Sequence, residues 1–295
     1  LISLSFILGF LYRNSNPIYL VFFKNKLENK LQKIFNPKNF NNSSNVNCPR
    51  KILNLPENST LIIGHAYGSS KKSDLRGNIG IAPKVYNFYQ RNKQNIDSII
   101  FNGDVLKEPS FKKWQDFYSK FDKNVKIYIA PGNHDIGGKY FDSALRDVFE
   151  IFPHKYQKGF KFPFEFIQDK SLFIIGDSNS KYSSLNEIIS IIDKEKVLSN
   201  IYVVIHHAFP NGLRDSVNAS GRHDFVEDSF FSNKFKETDN KKIFFLYGDG
   251  GAFKIKPRFK CLSLGNSYHV ISGIGEIEGD TILVISDNKL YRMEI

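Results

Sequence analysis

The feature that most constrains the fold is an alternation of short apolar runs with stretches of helical periodicity. Apolar runs typical of buried strands occur at residues 60–64, 97–102 and 125–130. Apolar residues at helical spacing lie between them, at 82–91 and 111–121. This β-α-β-α-β order predicts an α/β protein with a layered sheet, because each helical connection returns the chain to the same edge of the sheet.

Further strands are expected later in the chain. Apolar runs at 172–176, 201–205 and 242–247 are typical of buried strands, and residues 269–295 alternate short apolar runs with turns. No internal repeat is present. The sheet residues therefore extend to the end of the sequence.

The N-terminal part has a different character. Residues 1–12 and 17–23 are apolar but are interrupted at Arg13, so they are too short and broken for a membrane helix of about 20 apolar residues. They fit the end of an anchor, or a helix packed on the domain. Residues 24–35 fit a basic amphipathic helix, on a membrane surface or simply on the protein surface. We therefore divide the chain into a segment at 1–35, a linker at 36–56 and a catalytic domain at 57–295.

Charge and cysteine content bear on partners and location. The net charge of +11 attracts anions, but the lysines are spread along the chain, as on an ordinary solvated surface. Cys48 and Cys261 belong to no metal or redox spacing, and two reduced thiols are favoured over one disulfide. We therefore expect a cytoplasmic protein, with membrane association through its N-terminal segment as the alternative.

Polar clusters stand where the predicted strands end. They are GHAYG at 64–68, GD at 103–104, PGNHD at 131–135, HH at 206–207 and GDGG at 248–251. Binding sites in open α/β sheets form at the carboxyl ends of strands. Each cluster alone is typical of a polar turn, but five strand ends that each carry a possible ligand predict a metal site.

The residue types in these clusters suit cations and phosphate. A carboxylate at Asp104 can bridge two cations about 3.5–4 Å apart, the spacing used for in-line attack on phosphorus. His134 can donate a proton or contact a phosphate. The candidate metal ligands are His65, Tyr67, Asp104, Asn133, His206, His207 and Asp249.

The clusters resemble the ordered motifs of the calcineurin-like metallophosphoesterase superfamily, which read Asp-x-His, Gly-Asp, Gly-Asn-His-Asp/Glu, His and Gly-His-x-His. The GD and GNHD clusters match fully, and VVIHHAFP at 203–210 matches the single-His motif. The resemblance covers about residues 55–295. It implies an α/β fold built as a layered β-sandwich flanked by helices.

The resemblance also implies roles for single residues. It makes Asp104 the bridging ligand, Asn133 a ligand of the second metal, and His206 another, with His207 in its place if the register differs by one. It makes His134 the catalytic histidine, which we expect Asp135 to orient.

Two motifs depart from the family pattern. The first reads His65-Ala66-Tyr67, so Tyr67 is either a phenolate ligand that favours ferric iron or a packing residue. The last reads GDGG, in which Asp249 can replace the first histidine but Gly251 cannot replace the second. His223 is a candidate to supply the missing ligand or to contact substrate, or it does neither.

The resulting expectation is a metal-dependent hydrolase of phosphoester bonds, either a phosphomonoesterase or a phosphodiesterase. Two divalent cations, Mn, Fe or Zn, would activate a hydroxide for attack on a phosphorylated small molecule or a phosphodiester. Nucleic acid is not expected as a partner, since no stripe of aromatic and basic residues follows a backbone path. The alternative is a catalytically reduced metal- or phosphate-binding scaffold on the same fold.

Overall fold

The computed structural model of this chain describes residues 48–68, 80–136, 162–177, 185–194, 200–206, 242–251, 258–264 and 267–295. All of them belong to one compact unit, Asn45–Ile295. The predicted N-terminal segment at 1–35 lies outside the described residues. No helix among the described residues is long and apolar enough to cross a membrane.

The first sheet confirms the predicted β-α-β-α-β order. Its described strands run in the order β1-β12-β11-β2-β3-β4. β2, β3 and β4 are parallel, and α1 and α2 connect them. The bounds are β1 Arg50–Lys51, β2 Ser59–Gly64, α1 Pro83–Asn92, β3 Ile96–Asn102, α2 Phe111–Ser119, β4 Lys126–Ala130, β11 Thr281–Ser286 and β12 Lys289–Glu294.

The second described sheet has the order β5-β6-β7-β8-β10-β9. β6, β7, β8 and β10 are parallel, whereas β5 and β9 are antiparallel edge strands that the sequence analysis did not predict. The bounds are α3 Asn133–Ile136, β5 Phe164–Gln168, β6 Ser171–Ile175, α4 Leu185–Lys194, β7 Asn200–His206, β8 Lys242–Tyr247, β9 Phe259–Leu264 and β10 Ser267–Ser272.

The two sheets share one hydrophobic core, which confirms the layered α/β sandwich. Its most regular feature is an aromatic ladder across β5, β6, β7, β8 and β10. Ring centroids of successive members lie 4.9, 5.1, 5.2 and 4.9 Å apart, within the range of favourable ring pairs. The ladder consists of Phe166, Phe173, Tyr202, Phe244 and Tyr268. The ladder gives one physical use for the phenylalanine content of the chain.

The helices that flank the first sheet have identifiable local causes. α1 begins with Pro83, whose fixed φ suits the first turn of a helix. α2 is capped by Ser110, whose Oγ accepts a hydrogen bond from the Lys113 N–H at 3.3 Å. The buried face of α2 carries Trp114, Phe117 and Tyr118. These helices cover the parallel strands and leave the strand ends open for loops.

The cysteines correct an expectation from the sequence. Cys48 and Cys261 form a disulfide with their Cα atoms 6.0 Å apart, so the expectation of two reduced thiols is wrong. They are 213 residues apart in sequence, and only the sandwich brings them together. The expectation of a cytoplasmic location rested on those thiols and loses that support, since disulfides persist in oxidising compartments. Within the predicted linker, Arg50–Lys51 form β1 and pair with β12.

Candidate active site

The candidate site lies where the carboxyl ends of strands from both sheets meet. In the first sheet, Gly64 pairs with Asn102 and Asn102 with Ala130, so three strands end at one level. A Cβ at Gly64 would collide with Gly248, and a Cβ at Gly248 would collide with the Asn102 carbonyl oxygen. Glycine at 64 and 248 therefore lets the two sheets approach closely at this edge.

His65 follows β2 and presents one ring nitrogen to the site. Its Nδ1 lies 2.9 Å from the Ile274 carbonyl oxygen, which can only accept, so Nδ1 carries the proton. Burial lowers the pKa of His65 to about 4, so the ring is neutral at neutral pH and Nε2 keeps its lone pair. A histidine that binds a metal through one ring nitrogen usually donates a hydrogen bond from the other, often to a backbone carbonyl.

Asp104 stands at the centre of the group. Its Oδ2 lies 3.8 Å from His65 Nε2, and its Oδ1 accepts a hydrogen bond from the His134 N–H at 3.0 Å. Burial raises the pKa of Asp104 to about 8, against the lowering effect of hydrogen bonds from the His134 N–H and the Tyr67 hydroxyl. The carboxylate thus joins the end of β2 to the turn after β4.

Both His65 and Asp104 adopt left-handed backbone conformations, with φ of 52° and 53°. Such conformations cost about 1–3 kcal/mol in a residue with a side chain and concentrate at functional sites. The rest of the fold holds them in place, since the His65 N–H donates to the Gly103 carbonyl at 3.0 Å. The strained pair is consistent with a site in which the positions of these two side chains matter.

Tyr67 contacts the same carboxylate. Its ring centroid lies 4.3 Å from that of His65 and 5.1 Å from that of His134. Burial raises the pKa of the phenol above its usual value, so the hydroxyl stays protonated and donates to Asp104. The structure therefore places Tyr67 at the site as a hydrogen-bond donor to a predicted ligand.

Asp135 has a different role from the one expected. Its carboxylate accepts hydrogen bonds from the N–H groups of Gly132 at 2.9 Å, Val105 at 3.1 Å and Leu106 at 3.2 Å. These bonds tie the loop after β3 to the turn after β4. Burial, followed by the nearby charge of Asp104, raises the pKa of Asp135 to about 7.

The expectation that Asp135 orients the ring of His134 is therefore wrong. His134 Nδ1 lies 3.0 Å from the carbonyl oxygen of Lys107, which holds the ring instead. Asp135 and His134 are adjacent in the short helix α3, and adjacent helical residues point in different directions.

The turn after β8 brings Asp249 to the same region. Asp249–Gly251 form a 3₁₀ turn in which all three residues are buried. A Cβ at Gly251 would collide with the Ile274 carbonyl oxygen and lie 2.7 Å from His65 Nδ1. The imidazole next to this turn therefore comes from His65, and position 251 has no room for a side chain.

The remaining predicted residues are only partly described. His206 ends β7, where its backbone pairs with Tyr247, but its side chain is outside the described part of the structure. His207 and His223 also lie outside the described residues. Their roles as metal ligand and substrate contact stay predictions.

Two further buried charged residues were not singled out by the sequence analysis. Asp177 is a buried carboxylate directly after β6, and the Gly-Asp pair it forms with Gly176 repeats the pattern of Gly103-Asp104. That repeat was a usable signal. Arg258 is buried beside the turn after β8 and follows no motif, so nothing local in the sequence marks it.

The donor set suits a divalent cation. Asn133 Oδ1 is buried and has no hydrogen-bond partner in the part of the chain that the structure describes, as expected of an oxygen that serves an ion. Imidazole, carboxylate and amide oxygen together are ligands for Mn, Fe or Zn. Among the described residues, no group of three or more His, Cys, Asp or Glu side chains forms a complete metal site.

Sequence comparison identifies the class of protein. The sequence model of the calcineurin-like phosphoesterases matches residues 73–250, which is more than half of the chain. The chain therefore belongs to the calcineurin-like phosphoesterase family. Members of this family are generally phosphoester hydrolases and usually bind divalent metals.

Individual proteins add little to this assignment. No curated protein matches the chain. One similar solved structure is a conserved uncharacterised protein from Streptococcus pneumoniae TIGR4, described as a predicted phosphoesterase. It is 10% identical, covers 81% of this chain and 98% of its own, and has a TM-score of 0.31. A likeness at that score supports no inference about this chain.

Proposed function

We propose that this chain hydrolyses phosphoester bonds with the help of two divalent cations, Mn, Fe or Zn. The observation that carries the proposal is the position of Asp104. Its two oxygens face different partners, His65 Nε2 at 3.8 Å and the His134 N–H at 3.0 Å. A carboxylate whose two oxygens face different groups is suited to bridging a pair of cations.

The neighbouring residues would complete the binding of the cations. His65 offers a neutral Nε2 on one side of Asp104, and Asn133 offers a buried amide oxygen on the other. Asp249 and the histidines at 206–207 are further candidates at the same edge of the sandwich. Bound cations would lower the pKa of a water molecule and offset the negative charge that develops on the phosphoryl oxygens.

His134 is the residue best placed to act on the leaving group. The Lys107 carbonyl fixes the proton on Nδ1 and holds the ring, which leaves Nε2 as the reactive nitrogen. His134 is half-buried, so part of the residue stays open to solvent. With Nε2 protonated, His134 would donate a proton to the departing oxygen.

The substrate that we propose is a phosphorylated small molecule or a phosphodiester. The net charge of +11 would raise the local concentration of such anions. Nothing in the described surface favours nucleic acid over a smaller phosphoester.

The test is metal content and turnover of the full chain. Bound metals are measured by elemental analysis, and p-nitrophenyl phosphate and its bis-ester are assayed with added Mn²⁺. His134→Ala and Asp104→Ala are compared with Lys126→Met, which breaks an exposed pair with Asp97 at the opposite end of the strands. Metal-dependent turnover that is lost in the first two variants and kept in the third supports the proposal. A folded wild-type protein with neither metal nor turnover would replace it with a binding or scaffold protein.

A further inference from the structure

A buried arginine holds the turn that carries Asp249. Arg258 is 6% exposed, and its Nη1 donates to the carbonyl oxygens of Gly250 at 2.9 Å and Gly251 at 2.7 Å. These two carbonyls belong to the 3₁₀ turn that begins at Asp249. The two N–H bonds of this one nitrogen hold both acceptors at once, which fixes the orientation of the turn.

The charge of Arg258 is matched by Asp280. Asp280 is fully buried, and its Oδ1 lies 3.8 Å from Arg258 Nε. Its other oxygen pairs with Lys84 Nζ of α1 at 2.9 Å. Burial lowers the pKa of Arg258, and Asp280 opposes that effect, so a charged guanidinium is favoured by this partner. A buried cation without such a partner would be costly.

The same pair reaches the support of His65. Asp280 Oδ1 accepts a hydrogen bond from the Gly275 N–H at 2.9 Å. Arg258 packs against Gly275 so closely that a Cβ there would lie 2.6 Å from Nη2. Residue 275 directly follows Ile274, whose carbonyl accepts the hydrogen bond from His65 Nδ1. Arg258 and Asp280 thus hold the backbone segments that position the two predicted ligands, Asp249 and His65.

We infer that Arg258 and Asp280 are positioning residues of the metal centre, an inference that rests on the proposed function. They would act through the residues that they hold. They set the distance between the turn at Asp249–Gly251 and the ring of His65, and so the geometry that a cation meets. Loss of residues behind a metal's ligands typically weakens metal binding about 10–100-fold.

The test is Co²⁺ binding to the full chain. Titration measures the affinity, and the visible absorption of the bound ion reports the geometry of its ligands. Arg258→Met removes the guanidinium group, and with it the hydrogen bonds and the charge. Arg258→Lys keeps the charge and one donor group, and it protects the measurement if the methionine variant does not fold. Lys126→Met is the matched control, because it removes a cation from an exposed pair far from the site.

We expect at least about tenfold weaker binding and an altered absorption band in Arg258→Met, an intermediate effect in Arg258→Lys and no change in Lys126→Met. Wild-type affinity and absorption in both Arg258 variants, whatever their melting temperature, would overturn the inference and leave the proposed hydrolase intact. A wild-type protein that binds no Co²⁺ would overturn both.

Discussion

The imidazole of His65 fills the space that a side chain at position 251 would need. An added Cβ at Gly251 would lie 2.7 Å from both Cβ and Nδ1 of His65 and would collide with the Ile274 carbonyl oxygen. His65 Nδ1 and the Ile274 carbonyl oxygen form the hydrogen bond that fixes the His65 ring. The glycine therefore preserves the tautomer and position of a predicted ligand.

The first prediction is that Gly251→Ala disturbs both folding and metal binding. The added methyl group must displace backbone as well as the His65 ring, so a loss of about 1–3 kcal/mol in the free energy of unfolding is expected. The loss is measured by urea unfolding with and without Mn²⁺. Wild-type stability and wild-type metal content in this variant would contradict the contact.

The second prediction separates a metal role from a structural role by two matched substitutions. Neither Asn133 Oδ1 nor Asn102 Oδ1 makes a hydrogen bond within the described residues, but Asn102 is held by its Nδ2, which donates to the Leu246 carbonyl across the sheets at 2.8 Å. Asn133→Ala should weaken Mn²⁺ binding about tenfold or more, with little effect on the stability of the metal-free protein. Asn102→Ala should lower that stability by about 1 kcal/mol or more. Calorimetric titration and urea unfolding measure the two effects, and equal behaviour of both variants would argue against a metal-binding Asn133.

The third prediction concerns the two neighbours in α3. Asp135→Asn should cost at least about 2 kcal/mol of stability, because an amide cannot accept from all three N–H groups that the carboxylate holds. His134→Ala should cost only about 1 kcal/mol, since it loses one hydrogen bond to Lys107, yet it should abolish turnover. Thermal unfolding and the p-nitrophenyl phosphate assay are run on both variants. A stable, inactive Asp135→Asn would restore the catalytic role first expected for Asp135.

The fourth prediction is acid sensitivity caused by His269. Burial lowers the pKa of His269 from 6.5 to about 3, and its Nδ1 lies 2.9 Å from the Tyr247 hydroxyl. Below the ordinary pKa of histidine, His269 takes up a proton in the unfolded chain but not in the folded chain. The contribution of His269 to stability is therefore complete above about pH 6.5 and is lost as the pH is lowered towards 3, by up to about 1.4 kcal/mol per pH unit.

His269→Gln keeps a group that can bond to Tyr247 but removes the titration. Its urea midpoint in EDTA should fall less than that of the wild type when the pH is lowered from about 7 to about 5. Some dependence should remain in the variant, because burial also lowers the pKa of His65 to about 4. Burial raises the pKa of Asp104 to about 8 and that of Asp135 to about 7, and these two groups act in the opposite direction. An unchanged slope in the variant would show that His269 does not contribute.

The fifth prediction is that the disulfide stabilises the sandwich. The bond joins Cys48, just before β1, to Cys261 on β9, across 213 residues. Reduction should lower the free energy of unfolding by about 2–5 kcal/mol, because the reduced chain gains freedom on unfolding. Unfolding is measured with and without dithiothreitol. The double variant Cys48→Ala/Cys261→Ala is the control. Its free energy of unfolding should equal that of the reduced protein and should not change when dithiothreitol is added.

The sequence by itself determined most of the strands and the location of the site. The apolar runs at β2, β3, β4 and β8 are nearly continuous, as expected of strands that are buried on both faces. Such a pattern is a local property of the chain, so it can be read from the sequence. The edge strands β5 and β9 escaped prediction. The residues of β5 alternate between half-buried and exposed, so its apolar signal is weak. Polar clusters after the buried strands then indicated where candidate ligands would gather.

Tertiary structure alone decided which residues support those ligands. His65 is held by Ile274, 209 residues away, and Cys48 meets Cys261 across 213 residues. Asp135 binds the loop after β3 and not its neighbour His134. Arg258 has no motif around it and acquires its place from the packing of β9 beside the turn after β8. Pairings of this kind depend on how two sheets stack at their carboxyl edges, and no periodicity along a single strand encodes that contact.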